Sequence, residues 1–116
     1  MTPEQKRAVD RFVETVKEHY GERLVDVVLF GSRARGDARD DSDFDLAVIL
    51  RDGDWVEWRE RNWLASIAYD AFIEADACIQ PWPMAARTWQ HPEHQGHKSR
   101  LIEQARRDGI PWSVAA

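Results

Sequence analysis

The chain of 116 residues is poor in cysteine, has no long apolar run and carries no excess of positive charge. Its one cysteine, Cys78, cannot form an internal disulfide, and its apolar neighbours predict a small buried side chain rather than a reactive thiol. No apolar run is long enough to cross a bilayer, and the first residues lack a signal peptide's apolar core. We therefore expect a cytoplasmic protein without a membrane partner.

The formal net charge is −5, whereas a free-standing nucleic-acid-binding protein normally presents a basic face. Direct binding of nucleic acid is therefore not expected, although a basic protein partner is compatible with this charge. Apolar residues make up 43% of the chain and charged residues 32%, which is typical of a globular protein with a core. The length fits a single domain over residues 1–116.

The order of the predicted elements is helix, strand, short helix, strand, helix, strand, helix. Apolar residues at helical spacing follow the N-cap Thr2, and Gly21 ends this first helix. Three apolar runs predict strands, and Pro81 and Pro83 are expected to stop the third. The strands are predicted at residues 24–30, 44–50 and 75–80, and the later helices at 55–72, capped by Asp54, and 98–107, ending at Gly109. This order predicts an α/β (α+β) domain with a small sheet of about three strands flanked by helices.

The most informative segment runs from Phe30 to Leu46 and reads FGSRARGDARDDSDFDL. Asp43 and Asp45 stand two apart at the start of a predicted strand, so their side chains share one face. Carboxylates this close repel each other, and a divalent cation relieves the repulsion. Two solvated carboxylates at a strand start are the alternative interpretation, because Asp-x-Asp alone is a weak signal.

Gly31 and Ser32, upstream at a strand-to-helix junction, strengthen the functional interpretation. A glycine lets the backbone approach a phosphate closely, and a serine hydroxyl at a helix start suits an anion. An ordinary turn with a serine cap is the alternative. Together with the aspartate pair, the Gly-Ser pair predicts a site for a nucleoside triphosphate and Mg²⁺.

The whole segment resembles the signature of the polymerase-β-like nucleotidyltransferases, a Gly-Ser pair followed by Asp-x-Asp. In its full length it is similar to the minimal nucleotidyltransferases, or MNT proteins, which are often the antitoxin half of HEPN/MNT toxin–antitoxin pairs. This resemblance extends to the order of the remaining elements. It implies the nucleotidyltransferase fold with a small mixed sheet.

The resemblance also implies roles for the residues. Asp43 and Asp45 would hold Mg²⁺ on the triphosphate of ATP, and Gly31 and Ser32 would hold its distal phosphates. The family has a third carboxylate on a later strand, as a metal ligand or general base, and Asp76 is the best match. Glu74, two residues earlier, is its rival.

Arg33 and Arg35 follow the Gly-Ser pair and leave two interpretations open. A guanidinium group suits phosphate oxygens, so either side chain could contact the triphosphate or a partner. Ion pairs with the acidic residues of the following loop are equally compatible with the sequence.

Four histidines and six tryptophans lie outside this segment. The spacing of His91, His94 and His97 resembles a zinc site, but Pro92 and Gly96 interrupt it, which favours solvated histidines. Trp63 is expected in the core. Trp58, Trp82 and Trp89 are expected either on a protein-binding face or partly buried.

The function that this sequence favours is AMP transfer from ATP to a tyrosine hydroxyl of a HEPN RNase toxin, which would form a hetero-oligomer with this chain. A toxin-binding module without catalysis is the alternative. Transfer to a small molecule is less favoured, because the similar enzymes carry an added acceptor domain for which 116 residues leave no room.

Overall fold

One sheet of four strands organises the protein, and the computed structural model describes residues 1–115. The strands are β1 (Leu24–Phe30), β2 (Phe44–Leu50), β3 (Ile79–Ala85) and β4 (Ile110–Pro111), in the order β3-β2-β1-β4. β1 is antiparallel to β2 and β4, and β2 is parallel to β3. The mixed sheet predicted from the sequence is confirmed, with one strand more than expected.

Six helices connect and cover the strands, and none of them is long and apolar enough to span a membrane in the part of the chain that the structure describes. They are α1 (Pro3–Tyr20), α2 (Ser32–Arg35), α3 (Glu57–Ala75), α4 (Ala86–Gln90), α5 (Ser99–Asp108) and α6 (Trp112–Ala115). Short 3₁₀ turns lie at Gly21–Arg23, Pro92–His94 and Gly96–Lys98.

β2 and the second half of β1 (residues 27–30) are buried on both sides of the sheet, which explains their nearly continuous apolar sequences. α1 and α3 cover one face, where Leu29, Phe44 and Leu46 lie in the larger of two apolar clusters. On the opposite face, Phe30 and Ala47 belong to a smaller cluster that also contains Ala105 of α5. Because neighbouring residues alternate between the faces, Phe44 packs in the larger cluster while Asp43 and Asp45 lie on the side of the smaller one.

The start of α1 forms as its sequence predicts. The Thr2 hydroxyl accepts a hydrogen bond from the amide of Gln5, and the Gln5 side chain accepts one from the amide of Thr2. This reciprocal capping box fixes the helix start. The C-terminal segment packs back onto this helix, since the indole of the buried Trp112 donates to Asp10 Oδ1 at 2.8 Å.

The bounds predicted for α3 were wrong at both ends. The helix begins at Glu57 after Val56, whose side chain makes no cap, so Asp54 does not cap it. At the other end the helix continues past the predicted limit, and Phe72 remains 43% exposed. Phe72 lies on the flank of α3 that turns away from the sheet, which apolarity alone does not reveal.

The third strand was predicted too early in the chain, because the prolines were expected to end it. β3 instead begins at Ile79 and runs through Pro81 and Pro83. It is an edge strand, and the amide of Phe44 donates to the carbonyl of Cys78 at 2.8 Å, so backbone groups of alternate residues from Cys78 onward face β2. The two prolines fall between those residues, where no partner strand needs their missing N–H groups.

Gly109 is required for space rather than for conformation, since its φ of −68° suits any residue. A Cβ at this position would overlap the carbonyl of Ala105 and lie 2.6 Å from Cγ1 of Val28. Gly109→Ala is therefore expected to destabilise the protein by about 1–3 kcal/mol in thermal denaturation. Gly53→Ala is the control, because its Cβ would meet only Trp55 Cδ1 at 3.8 Å, and equal melting temperatures for both variants would contradict the packing argument.

Candidate functional site

The Gly-Ser pair and the aspartate pair meet at one end of the β1–β2 hairpin. The antiparallel register places Phe30 opposite Asp45, so Gly31, the next residue, reaches the Asp45 side chain. Gly31 has φ +77°, and a Cβ there would overlap Asp45 Oδ2. The two predicted halves of the site are therefore in direct contact.

The two carboxylates have different surroundings, since Asp43 is exposed and Asp45 is half-buried. Burial raises the pKa of Asp45 above its ordinary value, and the negative charge of Asp43 adds to this. A hydrogen bond from Trp82 Nε1 to Asp45 Oδ1 (3.5 Å) and the charge of Arg35 act in the opposite direction on the same pKa. A desolvated carboxylate beside a second one is a natural ligand for a hard divalent cation, which would remove the repulsion.

Ser32 begins the short helix α2, directly after Gly31. The carbonyl of Gly31 accepts hydrogen bonds from the amides of Ala34 and Arg35, both at 3.1 Å, and Gly36 ends the helix in the left-handed conformation. This single tight turn places the half-buried Ser32 beside Gly31 at the end of β1, next to the Asp45 carboxylate.

Arg35 lines a small cavity of about 160 Å³ together with Gly31 and Asp45. Its guanidinium also lies 3.5 Å from Asp37 and 3.9 Å from Asp108. Both interpretations made from the sequence therefore have a structural counterpart in Arg35, since its side chain is exposed, weakly paired and close to the aspartate pair.

The Arg33 side chain makes its contacts within the protein. Its guanidinium donates to the carbonyl of Ser42 at 3.0 Å, and to those of Asp40 and Arg39 at 3.2 and 3.3 Å. The same group lies 3.9 Å from the ring centroid of Phe44. Arg33 thus holds the loop that leads into Asp43 through backbone carbonyls rather than through acidic side chains.

Loss of these hydrogen bonds should loosen the loop. Arg33→Met keeps an apolar stem against Phe44 but removes every donor, so we expect a loss of about 1–3 kcal/mol in stability and about tenfold weaker binding of Mg²⁺–ATP. Both quantities can be measured by thermal denaturation and titration calorimetry. Arg39→Met in the same loop is the control, and an equal effect there would show that charge, rather than these hydrogen bonds, is responsible.

Asp76 and Glu74 both precede the third strand. Asp76 ends α3 with φ +56°, three residues before β3 begins, so the prediction that it opens the strand was wrong. Glu74 forms an ion pair with Arg11 of α1, the helix that covers the other face of the sheet. In the parallel register Gln80 is level with Asp45, and two residues earlier Cys78 is level with Asp43.

Cys78 is exposed, which contradicts the buried position predicted from its apolar neighbours. Those neighbours, Ala77 and Ile79, are buried, and the strand alternation turns Cys78 to the opposite side, beside Asp43. Desolvation and contact with Asp43 raise the pKa of the thiol. A thiol held protonated in this way is a poor nucleophile.

Sequence reasoning did not connect Trp82 and Gln80 with the site. Both alternate along β3 in step with the aspartates of β2, and Trp82 donates to Asp45. That alternation would have been visible in the sequence if the strand had been continued through its prolines. Trp82 and Trp89 are half-buried in the smaller cluster, whereas Trp58 is 62% exposed and Trp63 stacks on His19 with ring centroids 3.6 Å apart.

The histidines lie on the surface, away from the residues that line the site. Glu93 contacts the rings of His91 and His94 at 3.2 and 3.6 Å, and His97 does not belong to this group. The ligand atoms of His91, Glu93 and His94 lie within 4.8 Å of one another, and all four side chains are exposed.

Comparison with known proteins shows which family this chain matches. The family model described as "Nucleotidyltransferase domain" matches residues 9–108. Two proteins of Methanocaldococcus jannaschii, named as proposed protein adenylyltransferases, are 38% identical over 45 residues and 44% identical over 43 residues. The matched segments cover 39% and 37% of this chain but only 45% and 29% of those proteins, so the chain spans less than half the length of either.

Solved structures with a similar fold include toxin–antitoxin complexes. A toxin–antitoxin structure with AMP-PNP aligns with a TM-score of 0.57 and 19% identity, over 88% of this chain and 70% of that one. The complex of a tri-AMPylated HEPN toxin with its MNT antitoxin from Shewanella oneidensis gives 0.53 and 17%, over 92% and 70%. At this identity the likeness establishes the fold.

Proposed function

This chain belongs to the nucleotidyltransferase domain family, and on that basis we propose that it transfers AMP from ATP to a protein hydroxyl. The observation that carries the proposal is the direct approach of the Gly-Ser turn to the aspartate pair, with Gly31 against Asp45. A phosphate cradle beside two carboxylates is the arrangement that a metal-bound triphosphate requires.

The donor half of the reaction follows from these residues. Asp43 and Asp45 fit Mg²⁺ because both are carboxylates on one face, and one of them is desolvated. When bound there, the cation would neutralise charge on the triphosphate. Gly31, Ser32 and Arg35 would hold the distal phosphates, while Arg33 keeps the loop before Asp43 in place.

The reaction is an in-line displacement at the α-phosphate. The acceptor oxygen forms a new bond to phosphorus, the bond between that phosphorus and the bridging oxygen to the β-phosphate breaks, and pyrophosphate leaves. The hydroxyl proton passes to a base on the acceptor side. The protein contributes mainly by positioning the two reactants and by stabilising charge.

The acceptor that we propose is a tyrosine hydroxyl on a HEPN-type toxin, which this chain would silence as its antitoxin in a hetero-oligomer in the cytoplasm. Structures with this fold include a HEPN toxin with AMP groups attached in complex with its antitoxin, and a toxin–antitoxin complex with AMP-PNP. The names of the two sequence relatives, as proposed protein adenylyltransferases, point to the same type of acceptor.

Transfer of label tests this proposal. Purified protein, Mg²⁺ and α-labelled ATP should leave label on the tyrosine of a co-expressed toxin partner, and Asp43→Ala/Asp45→Ala should abolish it. Asp41→Ala is the matched control, because Asp41 is an exposed carboxylate just before the pair. Absence of label, or equal labelling by the double variant, would refute the proposal.

A second candidate function is neutralisation of the toxin by tight binding alone. It is favoured by the exposed apolar side chains of α3, Trp58, Tyr69 and Ile73, which are 62%, 63% and 67% exposed, and by the net charge of −5, which suits a basic RNase. Survival of cells that express the toxin with the Asp43→Ala/Asp45→Ala protein would support this candidate. Loss of protection with the complex intact would support catalysis.

Asp76 enters the proposal as a candidate base on the acceptor side, and its role can be separated from metal binding. It lies two residues before the level of Asp43 along the chain and is exposed. Asp76→Asn should keep wild-type affinity for Mg²⁺–ATP and lower the transfer rate about a hundredfold. Weaker binding of Mg²⁺–ATP by this variant in calorimetry would make Asp76 a metal ligand instead.

A further inference from the structure

A second cavity of about 380 Å³ adjoins the small cavity that contains Asp45. The two share Phe30, Trp82, Leu101 and Ala105 as lining residues, so they lie side by side next to α5. We call the larger one the α5 cavity. Its size is in the range of small-ligand sites, and nothing in the proposed chemistry described so far uses it.

The α5 cavity has apolar walls and a polar side. Met84 and Ile102 line its interior, while Thr88 and Gln95 offer a hydroxyl and an amide. Three charged residues also line it: Glu57, Arg61 and Lys98. At the end next to the aspartate pair, the rings of Phe30 and Trp82 lie with centroids 6.2 Å apart. Aromatic and apolar walls with a few hydrogen-bonding groups suit a flat heterocycle.

The order of the strands limits which part of the reaction can occupy this cavity. The phosphate cradle follows β1, the aspartates begin β2, and Gln80 lies in β3, so the cradle and β3 flank the aspartate pair on opposite sides. In-line displacement requires the acceptor oxygen to enter opposite the leaving pyrophosphate. With pyrophosphate over the cradle, the acceptor approaches across exposed Gln80 and Cys78 at the open edge of β3.

The nucleoside is attached to the same α-phosphate. It must extend away from both the pyrophosphate and the acceptor, and the α5 cavity lies in such a direction. Trp82 joins the two regions, because it lines both cavities and its indole N–H donates to Asp45 Oδ1 at 3.5 Å. We propose that the α5 cavity binds the base and ribose of the donor nucleotide, with Trp82 and Leu101 at its entrance. The assignment rests on the proposed function, since that function places the phosphates and the direction of attack.

Affinity for two ligands tests the assignment without any transfer reaction. Titration calorimetry compares the Mg²⁺ complexes of AMP-PNP, which carries a nucleoside, and of tripolyphosphate, which carries none. Leu101→Ala removes an apolar contact from a side chain that is 42% exposed, and Thr88→Trp fills the cavity. Glu103→Ala is the control, because Glu103 is exposed on α5 and does not line the cavity.

Each of the two cavity variants should bind AMP-PNP about fivefold or more weakly and bind tripolyphosphate as the wild type does. Unchanged tripolyphosphate binding also shows that the variant is folded. Equal weakening for both ligands, or none for either, would overturn the assignment. So would unchanged AMP-PNP affinity with slower transfer at saturating ATP, because the cavity would then receive the acceptor.

Failure of the proposed function would give a different result. If Asp43→Ala/Asp45→Ala binds Mg²⁺–tripolyphosphate as tightly as the wild type, the phosphates do not lie where the proposal places them. If the cavity variants lose affinity for AMP-PNP but not for tripolyphosphate, while no acceptor is labelled, the cavity assignment stands and protein adenylylation does not.

Discussion

Asp45→Asn is expected to abolish AMP transfer and at the same time to raise the melting temperature of the metal-free protein. Loss of one ligand charge should slow transfer about a thousandfold or more, which is about 4 kcal/mol of activation free energy. The gain in stability follows from the raised pKa of Asp45, because folding desolvates its carboxylate beside Asp43. Asparagine keeps an oxygen for the Trp82 indole but carries no charge.

The pH dependence has a definite sign. An acid whose pKa is raised by folding stabilises the folded state when it is protonated, and this contribution is lost as pH rises through the folded-state pKa. At neutral pH the variant should therefore melt above the wild type in EDTA, and the difference should disappear once the pH is low enough to protonate Asp45 in both the folded and the unfolded state. Thermal denaturation across pH measures this, and saturating Mg²⁺ should reverse the order of the two proteins.

Asp41→Asn is the control for both measurements, since Asp41 is exposed in the adjoining loop. It should change neither transfer nor melting temperature appreciably. A lower melting temperature of Asp45→Asn in EDTA would contradict the account of Asp45 as a carboxylate held at an energetic cost for a cation.

Gly31→Ala should damage the site through a single methyl group. The residue has φ +77°, and the added Cβ would overlap Asp45 Oδ2. Backbone strain of about 1–3 kcal/mol and displacement of Asp45 should together lower transfer about a hundredfold or more. Labelled transfer and thermal denaturation measure the two effects separately.

Gly36→Ala separates strain from contact. Gly36 has φ +83°, but a Cβ there would meet nothing within 4 Å. This control should lose comparable stability while its transfer rate and its affinity for Mg²⁺–ATP stay near those of the wild type. If both variants lost transfer equally, the close approach of Gly31 to Asp45 would have no special role.

The sequence was most informative where local pattern and burial agree. β1 and β2 have the bounds that their apolar runs predict, and these two strands bring Gly31 to Asp45. The Gly-Ser and Asp-x-Asp motifs lie at the ends of buried strands, so the hairpin itself brings the two motifs together.

Features that depend on long-range pairing were not predictable in the same way. Because β3 contains two prolines, its sequence did not predict a strand there, and only a position at the edge of the sheet permits one. The alignment of Gln80 with Asp45 was missed for the same reason. Arg33 is an example of another kind. Its guanidinium binds three loop carbonyls, and their positions depend on the path of residues 37–42. A guanidinium has the same chemistry in either role.

The two prolines of β3 have a consequence for how a partner can approach. An edge strand normally offers alternating donors and acceptors to any extended chain, but here Pro81 and Pro83 provide carbonyls without N–H groups on the open side. An incoming strand would leave its own carbonyls unpaired, so extension of the sheet by another chain is disfavoured. This edge of the sheet, next to the strand that carries Asp45, is therefore protected against pairing with a further strand.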